Sequence, residues 1–302
     1  MKMLRQIVEK HTPERFGASV LCILLALAAA GCSTGGSRIT VGTFNIAWLG
    51  DGRSDREPRN EEEIQAIAGV IRETDADVLG VQEIENAEAI GRVLKYLPGY
   101  SAHIGTLGRE QNVGLIYRNS VEVRIVGEYA PVAIEAGRNR PGLAAHCKKG
   151  NFDWIMMVVH LKSTSRYDST EELRQKSYLT RSAQTEKIVK WADSIRRADA
   201  EQDVIIAGDF NDFPLRKTNP TLLPALVDSS LKFLTMNMGS CKSDYMKGID
   251  HILVSGSAAA RFVAGSDRMI NTYAAYPKKQ AEKISDHCPV TVQFDISTPD
   301  ND

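Results

Sequence analysis

The stretch Val204–Asp212, VIIAGDFND, limits the possible folds more than any other part of this chain. Four consecutive apolar residues match a strand covered on both faces. Gly208 then lets the backbone turn, and Asp209 and Asn211 emerge where the strand ends. A buried strand aims a polar pair at one point with little freedom, which a reactive site requires. An ordinary Asx-type turn would use the same residues, so the decision rests on what the other strand ends carry.

Arg38–Trp48 reads as a strand with Asn45 near its end, followed by a turn-rich loop. Asn60 caps a helix with Glu63 at its third position, a capping box, and Ile64, Ile67, Ala68 and Ile71 form one apolar face. Asp77–Ile84 is a strand ending near Glu83, and Asn86 starts a second helix that closes near Pro98-Gly99. Two hairpins are predicted next, Val113–Tyr117 with Val121–Val126 and Leu143–Cys147 with Phe152–Leu161. The second delivers His160 and Lys162. A long helix over Thr170–Arg197 carries Arg181, Gln184, Ile188, Trp191, Ala192 and Ile195 on its inner stripe. Ile249–Ser255 brings Asp250 and His251, and Asp286 and His287 precede a last strand, Pro289–Phe294. Buried strands with helices outside predict an α+β fold, two packed sheets layered between helices.

With 302 residues, 43% hydrophobic and 25% charged, the chain can make one large domain or two small ones; no repeat or long linker divides it. A net charge of −1 supplies no global basic field, so any polyanion must meet local patches. Arg138, Arg140, Lys148, Lys149, Lys278 and Lys279 are available for one, though such pairs also serve simply to solubilise a surface.

The N-terminus stands apart. A basic lead precedes an apolar run over Ala18–Ala30, shorter than the ~20 residues a spanning helix needs. LAAAGC, Leu27–Cys32, resembles a bacterial lipobox, with a lipidated Cys32 heading the mature protein and STGGS as tether. An ordinary signal peptide or a short membrane anchor are the other readings. The expected division is a signal peptide over 1–31, a tether over 32–37, the folded domain over 38–296 and a disordered tail over 297–302. Ser33 after the cysteine points to the outer membrane, facing periplasm or cell surface. Export puts Cys147, Cys241 and Cys288 in an oxidising compartment, where three thiols allow one intrachain bridge. Cys147–Cys241 is the pairing expected, with Cys288 a buried free thiol.

Asn45, Glu83, His160, Asp209, Asn211, Asp250, Asp286 and His287 sit mostly at strand ends or in adjacent loops. Carboxylates and amides without clustered thiols suit a hard divalent cation such as Mg²⁺ or Mn²⁺, with Ca²⁺ a third choice. Histidines beside such a cation support phosphoester cleavage. His251 is read as a packing or orienting histidine.

Six segments in order, TFNIAW, VQEIEN, HLKS, GDFND, GIDHILVS and SDHCPV, resemble the endonuclease/exonuclease/phosphatase superfamily, the fold of pancreatic-type DNases. The resemblance spans nearly all of Arg38–Phe294. It implies a four-layer α/β/β/α sandwich with the site at one edge of the sheets. It places Asn45, Glu83 and Asp286 around the metal, and Asp209 and Asn211 at the attacking water and scissile phosphate. His287, oriented by Asp250, acts on the phosphate or as base, and His160 assists the leaving group. The family's glutamate partner of His160 is replaced by Gln111, next to Glu110, so hydrogen bonding to phosphate is the role expected of His160. The implied activity is a monomeric, metal-dependent nuclease acting on DNA or RNA outside the cytoplasm. A phosphomonoesterase or phospholipase, and a non-catalytic surface-binding lipoprotein, are the alternatives. Against lipid stands the lack of any aromatic hairpin legible in the sequence.

Overall fold

Strand β1 (Arg38–Leu49) is the first element of the computed structural model, which describes residues 37–198 and 201–300. The lipobox-like run and Cys32 lie outside the described residues. Helix α1 (Glu61–Glu73) starts at Asn60, whose side chain accepts from the Glu63 amide while the Glu63 carboxylate accepts from the Asn60 amide. Its apolar face returns the chain to β2 (Val78–Ile84), parallel to β1. Helix α2 (Ala87–Leu94) leads to β3 (Tyr100–Ile104), which sequence patterning missed, and to its antiparallel partner β4 (Asn112–Arg118).

The first hairpin expected from the sequence does not form. After Arg118 the chain leaves this sheet, and β5 (Glu122–Tyr129) opens a second one. Both strands are locally turn-bounded, but each pairs with a more distant segment. The second hairpin does form: β6 (Gly142–Lys149) pairs antiparallel with β7 (Phe152–His160). Helix α3 (Glu171–Arg197), capped by Thr170, then crosses over to β8 (Val204–Asp209), parallel to β7. Two short strands follow, β9 (Lys232–Phe233) and β10 (Gly239–Ser240), the latter paired with β11 (Ser243–Lys247). The remainder comprises β12 (Asp250–Val254), α4 (Gly256–Ala260), β13 (Arg268–Met269), α5 (Thr272–Ala275), α6 (Lys278–Ile284) and β14 (Val290–Asp295).

The sheets run β13-β14-β1-β2-β4-β3 and β5-β6-β7-β8-β12-β9. Strand β7 shows why they stack. Phe152, Trp154, Met156 and Val158 join Ile39, Val41, Ile205 and Phe294 between the sheets. The alternate residues Ile155, Met157 and Val159 join Ile188, Trp191 and Ala192 of α3 on the outer face. Period-two alternation with both faces apolar gives a strand inside three layers. On the other side α1 and α2 cover Phe44, Ile46, Leu79 and Val81, completing the α/β/β/α order.

Three local readings are corrected. Gly208 does not turn the chain; it sits within β8, where a Cβ would lie 2.0 Å from the Val159 carbonyl oxygen, so glycine permits close approach of β7. The disulfide joins Cys241 to Cys288, and Cys147 is the buried free thiol, its pKa pushed up to about 12 by burial. Cys147 lies on β6 in the inter-sheet core, out of reach of the β10–β11 turn. Residues 297–300 are not loose: Arg261 bonds the Thr298 and Pro299 carbonyls and pairs with Asp300 at 3.1 Å.

Candidate functional site

Strand register delivers the central groups. In the second sheet His160 is the partner of Asp209 across the parallel β7–β8 pair, and Asp250 is the partner of Asp209 across the antiparallel β8–β12 pair. Partners at one level point to the same face, so three functional side chains come from three adjacent strands. In the first sheet Asn45 pairs with Gln82, one residue before Glu83. Here the backbone departs from ordinary geometry: Glu83 has φ 62° and Asn211 φ 52°. Neither residue is glycine, and left-handed backbone at non-glycine positions costs about 1–3 kcal/mol each. The turn after β8 is thus taken by Asn211.

Asn45 joins the sheets. Its Oδ1 accepts from the Ala47 amide at 2.9 Å, so its Nδ2 faces Glu83 Oε1 at 3.2 Å and Asp209 Oδ2 at 3.1 Å. It acts as a donor to two acids, and its oxygen uses one lone pair on the Ala47 amide and keeps a second toward the metal expected there. The other Glu83 oxygen accepts from the Trp48 amide at 3.2 Å. Asp209 Oδ1 accepts from the Asn211 amide at 2.8 Å, and Asn211 Nδ2 donates to the Leu161 carbonyl. Burial pushes the Asp209 pKa up to about 7, against the opposing pull of His287.

Nε2 of His160 lies 3.4 Å from Asp209 and 3.8 Å from Glu83, while its buried Nδ1 has no hydrogen-bond partner among the described residues. Burial, then Arg140 and His287, hold its pKa well below the ordinary range. Gln111 does not orient this ring. Its side-chain and main-chain oxygens accept from the Arg140 guanidinium instead. His287 Nδ1 meets Asp250 Oδ2 at 2.8 Å, and its Nε2 faces Asp209 at 3.8 Å. Burial would lower its pKa, but Asp250 and then Asp209 overcome this and raise it to about 10. Asp286 is half-exposed at the same cleft, its Oδ2 held by Lys242 at 2.8 Å and its Oδ1 3.9 Å from His287 Nε2. His251 is buried between Thr235 and Gly248 as a structural side chain.

Sequence reasoning missed two positioning arginines. Arg59, 7% exposed, donates to the carbonyls of Ile46, Ala47 and Trp48, and to Lys283 at the end of α6. It fastens the left-handed turn at Ala47-Trp48 beside Asn45. Arg181 donates to the Lys162 carbonyl at 2.6 Å, and Gln184 accepts from the Lys162 amide at 2.8 Å, which fixes the loop after His160. Their inward position on α3 was the only signal in the sequence; Arg59 had none. Of the basic residues expected to meet a polyanion, Arg140 lines the cleft. Arg138, Lys148, Lys149 and Lys278 pair with Glu135, Asp153, Asp77 and Glu282.

Glu83, His160, Asp209, Asn211, Asp286 and His287 line one cleft of about 670 Å³, within the usual range of small-ligand sites. A divalent cation fits the donor chemistry: Glu83 and Asp286 offer carboxylate oxygens, and among the described residues no thiol lines the cleft and Glu83 has no lysine or arginine ion pair, while Lys242 holds only one of the two Asp286 oxygens. Asp209, Asp250 and His287 also bring ligand atoms within 4.8 Å of one another, but the His287–Asp250 hydrogen bond already occupies that group.

Comparison with curated proteins finds no match. Solved structures share the fold. Danio rerio TDP2 complexed with single-strand DNA product is 16% identical, with TM-score 0.59, covering 86% of this chain and 99% of that one. A mannosyl-6-phosphatase of Bacteroides thetaiotaomicron is 17% identical with TM-score 0.57, covering 84% and 98%. The human Nocturnin catalytic domain with bound sulfate is also 17% identical with TM-score 0.57, covering 85% and 93%. Residues 42–287 match the model of the Endonuclease/Exonuclease/phosphatase family. With that match over most of its length, on a sandwich whose two sheets meet at the cleft, the chain belongs to the endonuclease/exonuclease/phosphatase family of phosphoesterases.

Proposed function

We propose that this protein is a divalent-cation-dependent phosphodiesterase that hydrolyses nucleic acid outside the cytoplasm. The observation that carries the reading is Asp209: a buried carboxylate, its pKa raised by burial, lying 3.4 Å from His160 Nε2 and 3.8 Å from His287 Nε2, two histidines of opposite protonation preference. A base poised near neutral pH is what a water nucleophile needs. Asp209 takes the proton of the attacking water, and Asn211 and Asn45 hold its carboxylate in place. His287, kept protonated by Asp250, meets charge developing on the phosphate. His160, kept neutral, donates from one nitrogen to a phosphate oxygen or the leaving oxygen. Arg140, next to Gln111, supplies a fixed cation on the same wall. A divalent cation held by Glu83 and Asp286 would supply charge neutralisation at the phosphate.

Support for nucleic acid comes from a second cleft that adjoins the first through Trp48, Gln111 and Arg140 and adds Arg109, beside Arg138 with its Glu135 partner. TDP2 was solved with single-strand DNA product. The mannosyl-6-phosphatase keeps a phosphomonoesterase reading in view. For location, the lipobox-like run ending at Cys32 supports a lipid anchor, and the Cys241–Cys288 bridge suits an oxidising compartment. Cys32→Ser should release the protein from the detergent-requiring fraction; a wild-type N-terminus without acyl mass would remove the anchor.

The activity test is a panel of single-stranded DNA, duplex DNA, RNA, a sugar monophosphate and phospholipid vesicles, each with Mg²⁺, Mn²⁺ or Ca²⁺. Acid-soluble nucleotides should be released from nucleic acid, abolished by EDTA and reduced at least ~10²-fold by Asp209→Asn and His287→Gln. Faster hydrolysis of the monophosphate or the lipid than of any nucleic acid would overturn the reading.

A further inference from the structure

Two loops face the cleft from opposite ends of the chain's central region, 50–60 after β1 and 161–170 after β7. Trp48, at the end of β1, lies beneath Arg56 of the first loop, and the second loop carries Tyr167 beside Arg166, whose Nη2 donates to the phenol oxygen at 3.1 Å. The Arg56 guanidinium lies 4.0 Å from the centre of the Trp48 ring, and that of Arg166 lies 5.1 Å from the centre of the Tyr167 ring. Trp48, Arg56 and Tyr167 line the same cleft as Glu83, His160, Asp209 and His287. Arg56 is also close enough to influence the Tyr167 phenol electrostatically, so the two pairs are neighbours.

We propose that Trp48, Arg56, Arg166 and Tyr167 form a subsite for the nucleobase next to the scissile phosphate, so that the enzyme takes its substrate as an unpaired strand. The inference rests on the nuclease reading above and specifies its substrate class.

Tyr167 is 66% exposed, and a ring so exposed contributes little to the fold. What it offers is a flat apolar face beside a polyanion's reaction centre, the surface on which unstacked bases lie. The Arg56 guanidinium over Trp48 presents its N–H edge outward, where such a fork meets phosphate oxygens bidentately, while Arg166 at the cleft rim gives one N–H to the Tyr167 hydroxyl and keeps the others for phosphate. Alternating ring faces and guanidinium edges therefore match the alternation of base and phosphate along one strand. In a duplex both faces of each base are covered by neighbours and only groove edges are open, so this wall discriminates for unpaired nucleotides. An acyl chain would instead want contiguous apolar surface, and here an arginine flanks each ring.

The wall is held in place from below. Arg59 fixes the Trp48 carbonyl, Arg181 and Gln184 fix Lys162 at the base of the other loop, and Tyr167 donates its amide to Ser165 Oγ. Trp48 on β1 and Tyr167 on its loop are thus presented without needing to order on binding, which lowers the entropic cost of association.

The test compares full-length wild type with Tyr167→Ala, Tyr167→Phe, Arg56→Ala and Arg166→Ala. Substrates are a 12-nucleotide single-stranded DNA, its duplex, and the base-free diester methyl 4-nitrophenyl phosphate. Binding of the labelled single strand is measured in EDTA by fluorescence anisotropy. The wild type should bind and cleave the single strand in preference to the duplex. Tyr167→Ala should weaken single-strand binding about 10-fold, as loss of one stacked base does. The same change should raise KM more than it lowers kcat, and Tyr167→Phe should restore most of the loss. Each arginine variant should reduce the slope of log affinity against log salt by about 0.7. Equal losses on the oligonucleotide and the base-free diester, or no loss of binding in Tyr167→Ala, would overturn the subsite while leaving the nuclease reading intact. Turnover of the small diester with neither binding nor cleavage of any nucleic acid would overturn both.

Discussion

Replacing Arg59 by methionine isolates what the turn beside Asn45 costs. The apolar stem is kept while four hydrogen bonds disappear, to the carbonyls of Ile46 at 3.0 Å, Ala47 at 2.6 Å, Trp48 at 3.0 Å and Lys283 at 2.8 Å. A buried carbonyl left without a donor costs about 1–3 kcal/mol. The four do not add fully, because the bonds to the Ala47, Trp48 and Lys283 carbonyls are only part-buried and water can replace the guanidinium there. Removing a largely buried cation also returns some desolvation cost. A net loss of about 3 kcal/mol follows, or about 6–12 °C in Tm for a domain of this size. Arg59→Lys, with one compact ammonium in place of a fork, should fall between. The assay is thermal unfolding by circular dichroism, paired with kcat well below either Tm. Because Asn45 takes its orientation from the Ala47 amide and Glu83 from the Trp48 amide, kcat should fall about 10-fold in protein that is still folded. A Tm within about 2 °C of wild type would show that the left-handed turn supports itself, and the argument from orphaned carbonyls would be wrong.

Other outcomes follow from separate features. The Cys241–Cys288 bridge spans 47 residues, for which chain entropy gives about 4 kcal/mol; Cys241→Ser/Cys288→Ser should lower Tm accordingly, and finding all three mature thiols alkylatable without reductant would refute the pairing. His287 has its pKa raised to about 10 and Asp209 to about 7, so the folded state holds protons that the unfolded chain releases. Stability of the metal-free protein should therefore fall as pH rises from about 4 to 7 through Asp209 and from about 6.5 to 10 through His287. Asp250→Asn should flatten the upper limb in urea titrations at pH 6 and 9; an unchanged difference would remove the His287 assignment. Gly208→Ala drives a Cβ to 2.0 Å from the Val159 oxygen and should cost more than about 4 kcal/mol; a soluble variant with near-native Tm would show that β7 and β8 can separate at that point.

What the sequence made legible was local or strongly periodic. The Asn60–Glu63 capping box, the inner stripe of α3 and the apolar run of β8 each carry their reason within a few residues. The strand ends at Glu83, His160, Asp209 and Asp250 were readable because polar residues interrupt apolar strands there. Sheet membership was not. Arg118-Asn119-Ser120 has the composition of a hairpin turn, yet the chain uses it to pass from one sheet to the other, and no local signal distinguishes the two. The disulfide failed for a similar reason: counting thiols allows three pairings, and only the fold puts the β10–β11 turn over Cys288. The same hairpin bears Tyr245, 96% exposed, and Met246 on β11, an exposed aromatic strand that alternation over five residues did not announce. Arg59 and Arg181 were illegible in role because a buried arginine has the same letter as a solvated one.

The division of the cleft between two sheets has a mechanical consequence. Asn45 and Glu83 ride on one sheet, and His160, Asp209 and Asp250 on the other, with the 3.1 Å contact from Asn45 to Asp209 spanning the seam. What sets the separation of those two carriers is the thickness of the side-chain layer between them, built from Phe152, Trp154, Met156, Val158, Ile205 and Phe294. Close-packed interiors transmit strain rather than absorb it. A methylene added or removed in that layer is therefore converted into a displacement at the sheet edge, and turnover acts as a gauge of interlayer spacing. Residues far from the cleft with no polar atom are constrained by catalysis as well as by stability, and the tolerance of this core to substitution is narrower than its burial alone would set.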